Sequence, residues 1–179
     1  MHHRPLTAAD GEAAIELVRT TFHQSEGEAE ARAVSGLVAR YFERFPRTDL
    51  RGFGAFDGDA FIGCLFFSRL HFTESEAQVF LLSPMAVHPD FQGKGIGQNL
   101  IHFAHHDLRQ RGAQLAVTYG DPAFYSKTGY RPVTVSDLAA PHPLSMPQGW
   151  IALSLDGTTP LHVPGPSTCV PELDSADLW

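Results

Sequence analysis

The hexapeptide Gln92-Gly93-Lys94-Gly95-Ile96-Gly97 joins an apolar, strand-like run at 79–87 to an amphipathic, helix-like run at 96–111. Glycines at such a junction let consecutive backbone N–H groups converge, and the helix behind them adds the positive end of its dipole. The product is an anion cradle suited to phosphate, in a chain that must place a strand and a helix end to end.

Composition narrows the classes of protein that could use this cradle. A chain of 179 residues with 43% hydrophobic and 18% charged residues can bury a core as one folded protein without disulfides or metal. The formal charge of −7 argues against a nucleic-acid binder, which needs a Lys/Arg-rich face. No apolar run reaches the ~20 residues of a membrane helix, and the first residues lack the apolar centre of a signal peptide. Cys64 and Cys169 have no framework spacing and read as reduced thiols of a cytoplasmic protein.

Along the chain, Thr7-Ala8-Ala9-Asp10 has the hydroxyl and the acid of a helix start. Ala14, Leu17, Val18, Thr21 and Phe22 follow with helical spacing. A second helix is predicted over 28–45, with Val34, Leu37, Val38, Tyr41 and Phe45 on its apolar stripe and Pro46 as its stop. Strands are predicted at 50–56 and 60–72 around the turn Asp57-Gly58-Asp59. Both alternating faces of 61–67 are apolar, so that strand should be covered on both sides. After the strand at 79–87 and the glycine loop, a helix buries Leu100, Ile101, Ala104 and Leu108 and ends at Gly112. A strand at 114–118 leads to Asp121-Pro122, which opens a short helix closed by Gly129. Strands at 131–135 and 150–155 flank a Pro-rich loop. Eight of the 13 prolines fall at or after Pro132, and 156–179 reads as an extended tail.

Two familiar phosphate loops do not fit. Lys94 lies between the glycines with no Ser/Thr after it, unlike a nucleotide P-loop, and Gly93, Gly95 and Gly97 give G-x-G-x-G in place of the dinucleotide fingerprint. A plain strand-to-helix turn is the alternative that the loop alone leaves open.

The flanking residues decide more. The segment Pro84-Met85-Ala86-Val87-His88-Pro89-Asp90-Phe91 followed by the hexapeptide closely resembles the acyl-CoA signature of the GNAT superfamily of N-acetyltransferases. Phe124-Tyr125-Ser126-Lys127-Thr128-Gly129-Tyr130 resembles a second element of that family, F-Y-x-x-x-G-[FY]. The resemblance covers about residues 4–155, with specific motifs only in 79–132. The form Gly120-Asp121-Pro122-Ala123-Phe124-Tyr125 looks like a small bacterial subgroup. This resemblance implies an α/β (α+β) fold with a mixed, mostly antiparallel central sheet, splayed strands and flanking helices. It further implies a GNAT domain at 1–155 with the Pro-rich tail at 156–179 packed on it or extending from it.

It also implies a reaction, the transfer of the acetyl group of acetyl-CoA to a primary amine. The acceptor is a small molecule or a protein amine, and neither nucleic acid nor membrane is a partner. A homodimer through C-terminal strand pairing is compatible with the pattern. By resemblance, the backbone of Met85, Ala86 and Val87 holds the pantetheine arm and the thioester carbonyl. Gln92, Gly93, Lys94, Gly95, Ile96, Gly97 and Gln98 hold the diphosphate, Gln92 by its side chain or its backbone. Tyr125 contacts the cofactor and protonates the departing thiolate, or else packs through its ring alone. The glutamate that many GNAT proteins carry before the loop is replaced here by Leu81, Leu82 and Ser83. Asp121, Glu76 and His88 are therefore the candidate bases, with helix capping as the other role for Asp121 and a turn as the other role for His88. The missing glutamate also suggests an alternative, a non-catalytic acyl-CoA-binding regulatory module; a third class is an interaction protein docking through its tail.

No metal is expected. His102, His105 and His106 share a helix without a flanking carboxylate and read as a solvated face opposite Leu100, Ala104 and Leu108. Ser83 lacks a hydrolase context. Lys127 either reaches the ribose phosphate or is solvated, and Phe66, Phe67, Phe72 and Phe80 read as sheet core.

Overall fold

Apolar residues recurring three and four places apart produce the first two helices. The structure is a computed structural model describing residues 1–179. In chain order the elements are β1 (His2–Pro5), α1 (Gly11–Glu26), α2 (Glu28–Phe42), β2 (Leu50–Asp57), β3 (Ala60–Phe72) and β4 (Ser75–Val87). Then come α3 (Ile96–Gln110), β5 (Leu115–Tyr119), α4 (Pro122–Tyr125), β6 (Arg131–Pro132), β7 (Trp150–Ser154) and β8 (Ser167–Thr168). The strands form one open sheet in the order β1-β2-β3-β4-β5-β7-β6, with β8 on β3. β4 and β5 are parallel, whereas β1–β2, β3–β8, β5–β7 and β6–β7 are antiparallel. β2–β3 and β3–β4 are neighbours joined by the turns Gly58-Asp59 and Thr73-Glu74, a connection length that only antiparallel pairs permit. The fold is thus the mixed, mostly antiparallel sheet with flanking helices that the sequence implied. No helix is long and apolar enough to cross a membrane.

The chain divides into two compact units, Met1–Phe67 with Pro84–Ala104, and Ser68–Ser83 with His105–Trp179. In the first, α1 buries Ala14, Leu17, Val18 and Thr21, and α2 buries Ala31, Val34, Leu37, Val38 and Tyr41. α2 stops at Phe42, short of the predicted Phe45. The residue before a proline is pushed out of the helical region, so Pro46 ends the helix earlier than a stripe of apolar residues suggests. Ile62, Cys64, Leu65, Phe66 and Phe67 are all buried, as a strand covered on both faces requires. β1 carries no alternating pattern and exists by pairing with β2, from His2↔Phe56 to Pro5↔Phe53. It is tied to the helix start by Arg4, whose guanidinium bonds both Asp10 carboxylate oxygens, at 2.7 and 2.9 Å.

In the second unit, Leu115, Ala116, Val117 and Thr118 on β5 are all buried. β6 is only two residues long because Thr134 and Asp137 close a turn straight after it: the Thr134 N–H and hydroxyl both donate to the Asp137 carboxylate, at 3.0 and 2.7 Å. Beyond 156 the chain is held in several places. The Ser167 hydroxyl donates to the Ala139 carbonyl at 2.6 Å, the Trp179 indole donates to the Leu173 carbonyl at 3.0 Å, and Trp179 packs edge-on to buried Trp150.

Candidate active site

Gly93 and Gly95 adopt φ of +73° and +76°, which L side chains rarely adopt. Between and beyond them the backbone turns into α3, which begins at Ile96. The amides of Ile96, Gly97 and Gln98 have no carbonyl one turn back, whereas the Asn99 amide already donates to the Gly95 carbonyl at 3.0 Å. Free amides at a helix start, behind two left-handed glycines, are what an anion cradle needs. Lys94 folds back to donate to the Asp90 carbonyl at 3.0 Å and lies over the Phe91 ring. Gln92 turns inward. Its side-chain amide donates to the Val87 carbonyl at 2.9 Å, so it braces the loop against the end of β4.

β4 changes partner halfway. Its register with β5 runs from Val79↔Leu115 to Leu82↔Thr118 and stops, while the strand continues to Val87. Gln78 and Leu82 turn their carbonyls toward β5, accepting from the Gln114 amide and the Thr118 hydroxyl at 2.8 and 3.0 Å. His88, also an even position, instead donates to Ile62 on β3 at 2.9 Å. The alternation has therefore slipped between Leu82 and His88, as one extra residue in a β-bulge would make it, and Pro84 lies in that interval. Beyond the slip, the backbone groups of Met85 and Val87 face away from β3. The Val87 carbonyl is engaged by Gln92, and Thr21 of α1 reaches it at 3.4 Å. Ser83 and Met85 are half-exposed on this stretch, in contrast to Val79, Phe80, Leu81 and Leu82, which are buried.

In the second unit, the segment 120–130 is built around the Tyr125 ring. A Cβ on Gly120 would lie 2.8 Å from Tyr125 Cε2, so the glycine is there to let the ring approach. Asp121 caps α4, its Oδ1 accepting from the Ala123 amide at 2.9 Å, and Pro122 occupies the first turn. Phe124 and Tyr130 pack edge-on to Tyr125, with ring centroids at 5.0 and 5.6 Å. Burial pushes the phenol up to about 12. Thr118 adjoins the phenol hydroxyl and offsets part of that rise, while the Thr118 hydroxyl also reaches the Leu82 carbonyl at 3.0 Å. Of the other candidate bases, Glu76 is exposed at the start of β4, and the His88 Nδ1 accepts from the Asp90 amide.

The acetyltransferase (GNAT) domain family matches residues 2–133. The chain belongs to that family. Two Escherichia coli proteins named as uncharacterised N-acetyltransferases are 31% identical to it over 129 residues: YjhQ, over 68% of this chain and 70% of that protein, and YhbS, over 72% and 68%. The crystal structure of YhbS in complex with CoA superimposes with a TM-score of 0.76 at 25% identity, covering 97% of this chain and 92% of that one. A Brucella melitensis GNAT acetyltransferase in complex with acetyl-CoA shares the fold, with a TM-score of 0.70 at 22% identity and 97% coverage of both chains.

This GNAT acetyltransferase departs from the sequence reading at two polar residues. His105 does not lie on a solvated face: it is 3% exposed, while His102 and His106 are exposed. Its spacing from Ile101 and Leu108 places it on the buried stripe, and that signal was present in the chain. The histidines do not converge with other ligands, as no group of three His, Cys, Asp or Glu side chains is placed to hold a metal ion. Thr118 carries no such signal in the sequence, because a threonine in a buried strand reads as a β-former until its hydroxyl partner is known.

Proposed function

We propose that the enzyme transfers the acetyl group of acetyl-CoA to a primary amine, of a small molecule or of a protein, in the cytoplasm. The observation that carries this is the pair of left-handed glycines feeding free amides into the start of α3, directly behind a strand with an open edge. In this reading the amides of 93–98 hold the diphosphate. Met85 and Val87 offer backbone groups to the pantetheine arm and the thioester carbonyl, and Ala86 lies between them. Gln92 acts through its brace on Val87 and not by touching phosphate.

The chemistry sets three demands. An alkyl amine with pKa near ~10.4 is neutral in only about four molecules in ten thousand at pH 7, so its proton must be accepted. The oxyanion formed on attack needs a donor, supplied by a backbone N–H at Met85 or Val87. The departing sulfur needs a hydrogen, supplied by Tyr125. An ordinary thiol titrates near ~8.5, between three and four powers of ten below this phenol. Full proton transfer to a solvated thiolate would therefore run uphill. Tyr125 serves as a hydrogen-bond donor that stays protonated, and it yields its proton only where the sulfur is itself desolvated. Asp121 accepts the amine proton, directly or through water, by the carboxylate oxygen its cap leaves over.

Thiol release from acetyl-CoA with spermidine, lysine methyl ester and phenethylamine tests the assignment. Turnover with at least one of them is expected, and tight CoA binding without turnover would refute it. Asparagine caps a helix as well as aspartate does, so Asp121→Asn separates capping from catalysis. A loss of about 10²-fold in kcat is expected of a base; unchanged kcat would leave Asp121 a cap alone.

A further inference from the structure

His105 and Tyr130 form a buried polar pair that the proposed chemistry does not use. Each is 3% exposed, and His105 Nε2 lies 3.0 Å from the Tyr130 hydroxyl. Both polar groups are out of reach of water, so removing the His105 ring costs the buried Tyr130 hydroxyl this bond, and a buried hydroxyl left unpaired is destabilising. The F-Y-x-x-x-G-[FY] pattern accepts phenylalanine at position 130. Here the hydroxyl is present and meets His105 on another element.

The Tyr130 ring is one wall of the Tyr125 site. The two rings meet edge-on at 5.6 Å with 68° between their planes. The remaining walls are Phe124, from the same short helix, and the bare Cα of Gly120. The Tyr125 carbonyl is pinned by the Thr128 hydroxyl at 2.9 Å and the Tyr130 amide at 3.3 Å. Those bonds fix the backbone of Tyr125; its phenol is met by Thr118 at the hydroxyl and by the Tyr130 ring along its edge. The Tyr130 wall is itself tied to α3 through His105.

We infer that His105 is a positioning residue: it anchors the Tyr130 hydroxyl, and the Tyr130 ring then holds the Tyr125 phenol in the rotamer that aims it at the leaving sulfur. This rests on the role proposed for Tyr125. A phenol free to rotate still packs, so the effect belongs in turnover and not in cofactor affinity.

The test follows acetyl-CoA thiol release with the fastest of the three amines named above. Variants are His105→Leu, Tyr130→Phe, the two combined, His105→Gln, Tyr125→Phe, and His105→Leu within Tyr125→Phe; each is also melted thermally. His105→Leu and Tyr130→Phe should each lower kcat about tenfold with KM for acetyl-CoA within about twofold, the scale of a misaimed group. The combined variant, with both partners now apolar, should regain part of the melting temperature lost in His105→Leu while kcat stays low. His105→Gln, which keeps a polar partner for the hydroxyl, should restore most of kcat. Within Tyr125→Phe, His105→Leu should change nothing further. Recovery of kcat together with stability in the combined variant would make the pair merely structural and overturn the inference, as would an undiminished His105→Leu effect in the Tyr125→Phe background. If Tyr125→Phe itself leaves kcat unchanged, the proposed role of Tyr125 fails, and this inference fails with it.

Discussion

The Gln92 side-chain amide donates to the Val87 carbonyl at 2.9 Å, so the glycine loop is tied to the last residue of the strand before it. A neutral hydrogen bond of this kind contributes about 1 kcal/mol. Gln92→Leu should leave the fold intact and weaken CoA binding by about fivefold, because the brace is lost while the amides remain. Calorimetric titration of the variant with CoA measures it; unchanged affinity would show that the brace does not shape the cradle.

At Gly95 the backbone conformation, not space, excludes other residues. Nothing lies within 4 Å of a Cβ built there, yet φ is +76°. Alanine should therefore cost about 1–2 kcal/mol, asparagine less because it tolerates the left-handed region, and valine most. The predicted order of CoA affinity is wild type, Gly95→Asn, Gly95→Ala, Gly95→Val. A ranking by side-chain size alone, with alanine above asparagine, would contradict a backbone origin.

For Tyr125, burial raises the phenol to about 12, so the donor form is kept as pH rises through the usual assay range. The rate at low amine concentration should climb about tenfold per pH unit below the amine pKa. No falling limb from Tyr125 is expected before the phenol itself ionises. A falling limb near pH 9 that disappears in Tyr125→Phe would contradict the assignment. Gly120→Ala, whose Cβ would meet the Tyr125 ring at 2.8 Å, should lower kcat while CoA affinity is kept.

The Arg4–Asp10 pair gives a stability signature. The Arg4 guanidinium holds the Asp10 carboxyl down at about 2. A depressed folded-state pKa stabilises the protein above the unfolded value near ~3.9 and loses that contribution as pH falls toward the folded one. Arg4 is partly exposed, which limits the contribution to about 1–2 kcal/mol. Arg4→Met should lower the melting temperature at pH 6, and the gap to wild type should narrow between pH 4 and pH 2. A gap that does not change with pH would assign the effect to stacking of the Arg4 guanidinium over the Phe56 ring.

Much of this was legible in the chain, for reasons that differ by residue. Gly93 and Gly95 announce a left-handed turn because almost nothing else adopts one. The strand at 61–67 announces burial on both faces because both of its faces are apolar. β1 and β8 were not legible, since such short, polar strands exist only through their partners β2 and β3. The slip in β4 was hinted at by Pro84 but depends on which neighbour each backbone group faces. His105 was misplaced because a histidine on a helix suggests solvent, although its spacing from Ile101 and Leu108 pointed inward. The inward turn of Gln92 is a side-chain choice that no spacing rule encodes.

The central claim is that the backbone amides of 93–98 hold the diphosphate of CoA. Residue-resolved NMR of the 15N-labelled protein, titrated with CoA and then with pantetheine, tests it most directly. CoA should produce its largest amide shifts at 93–98, and pantetheine, which lacks the diphosphate, should leave those amides unmoved. Amides at 93–98 that stay in place while CoA binds elsewhere would contradict the account.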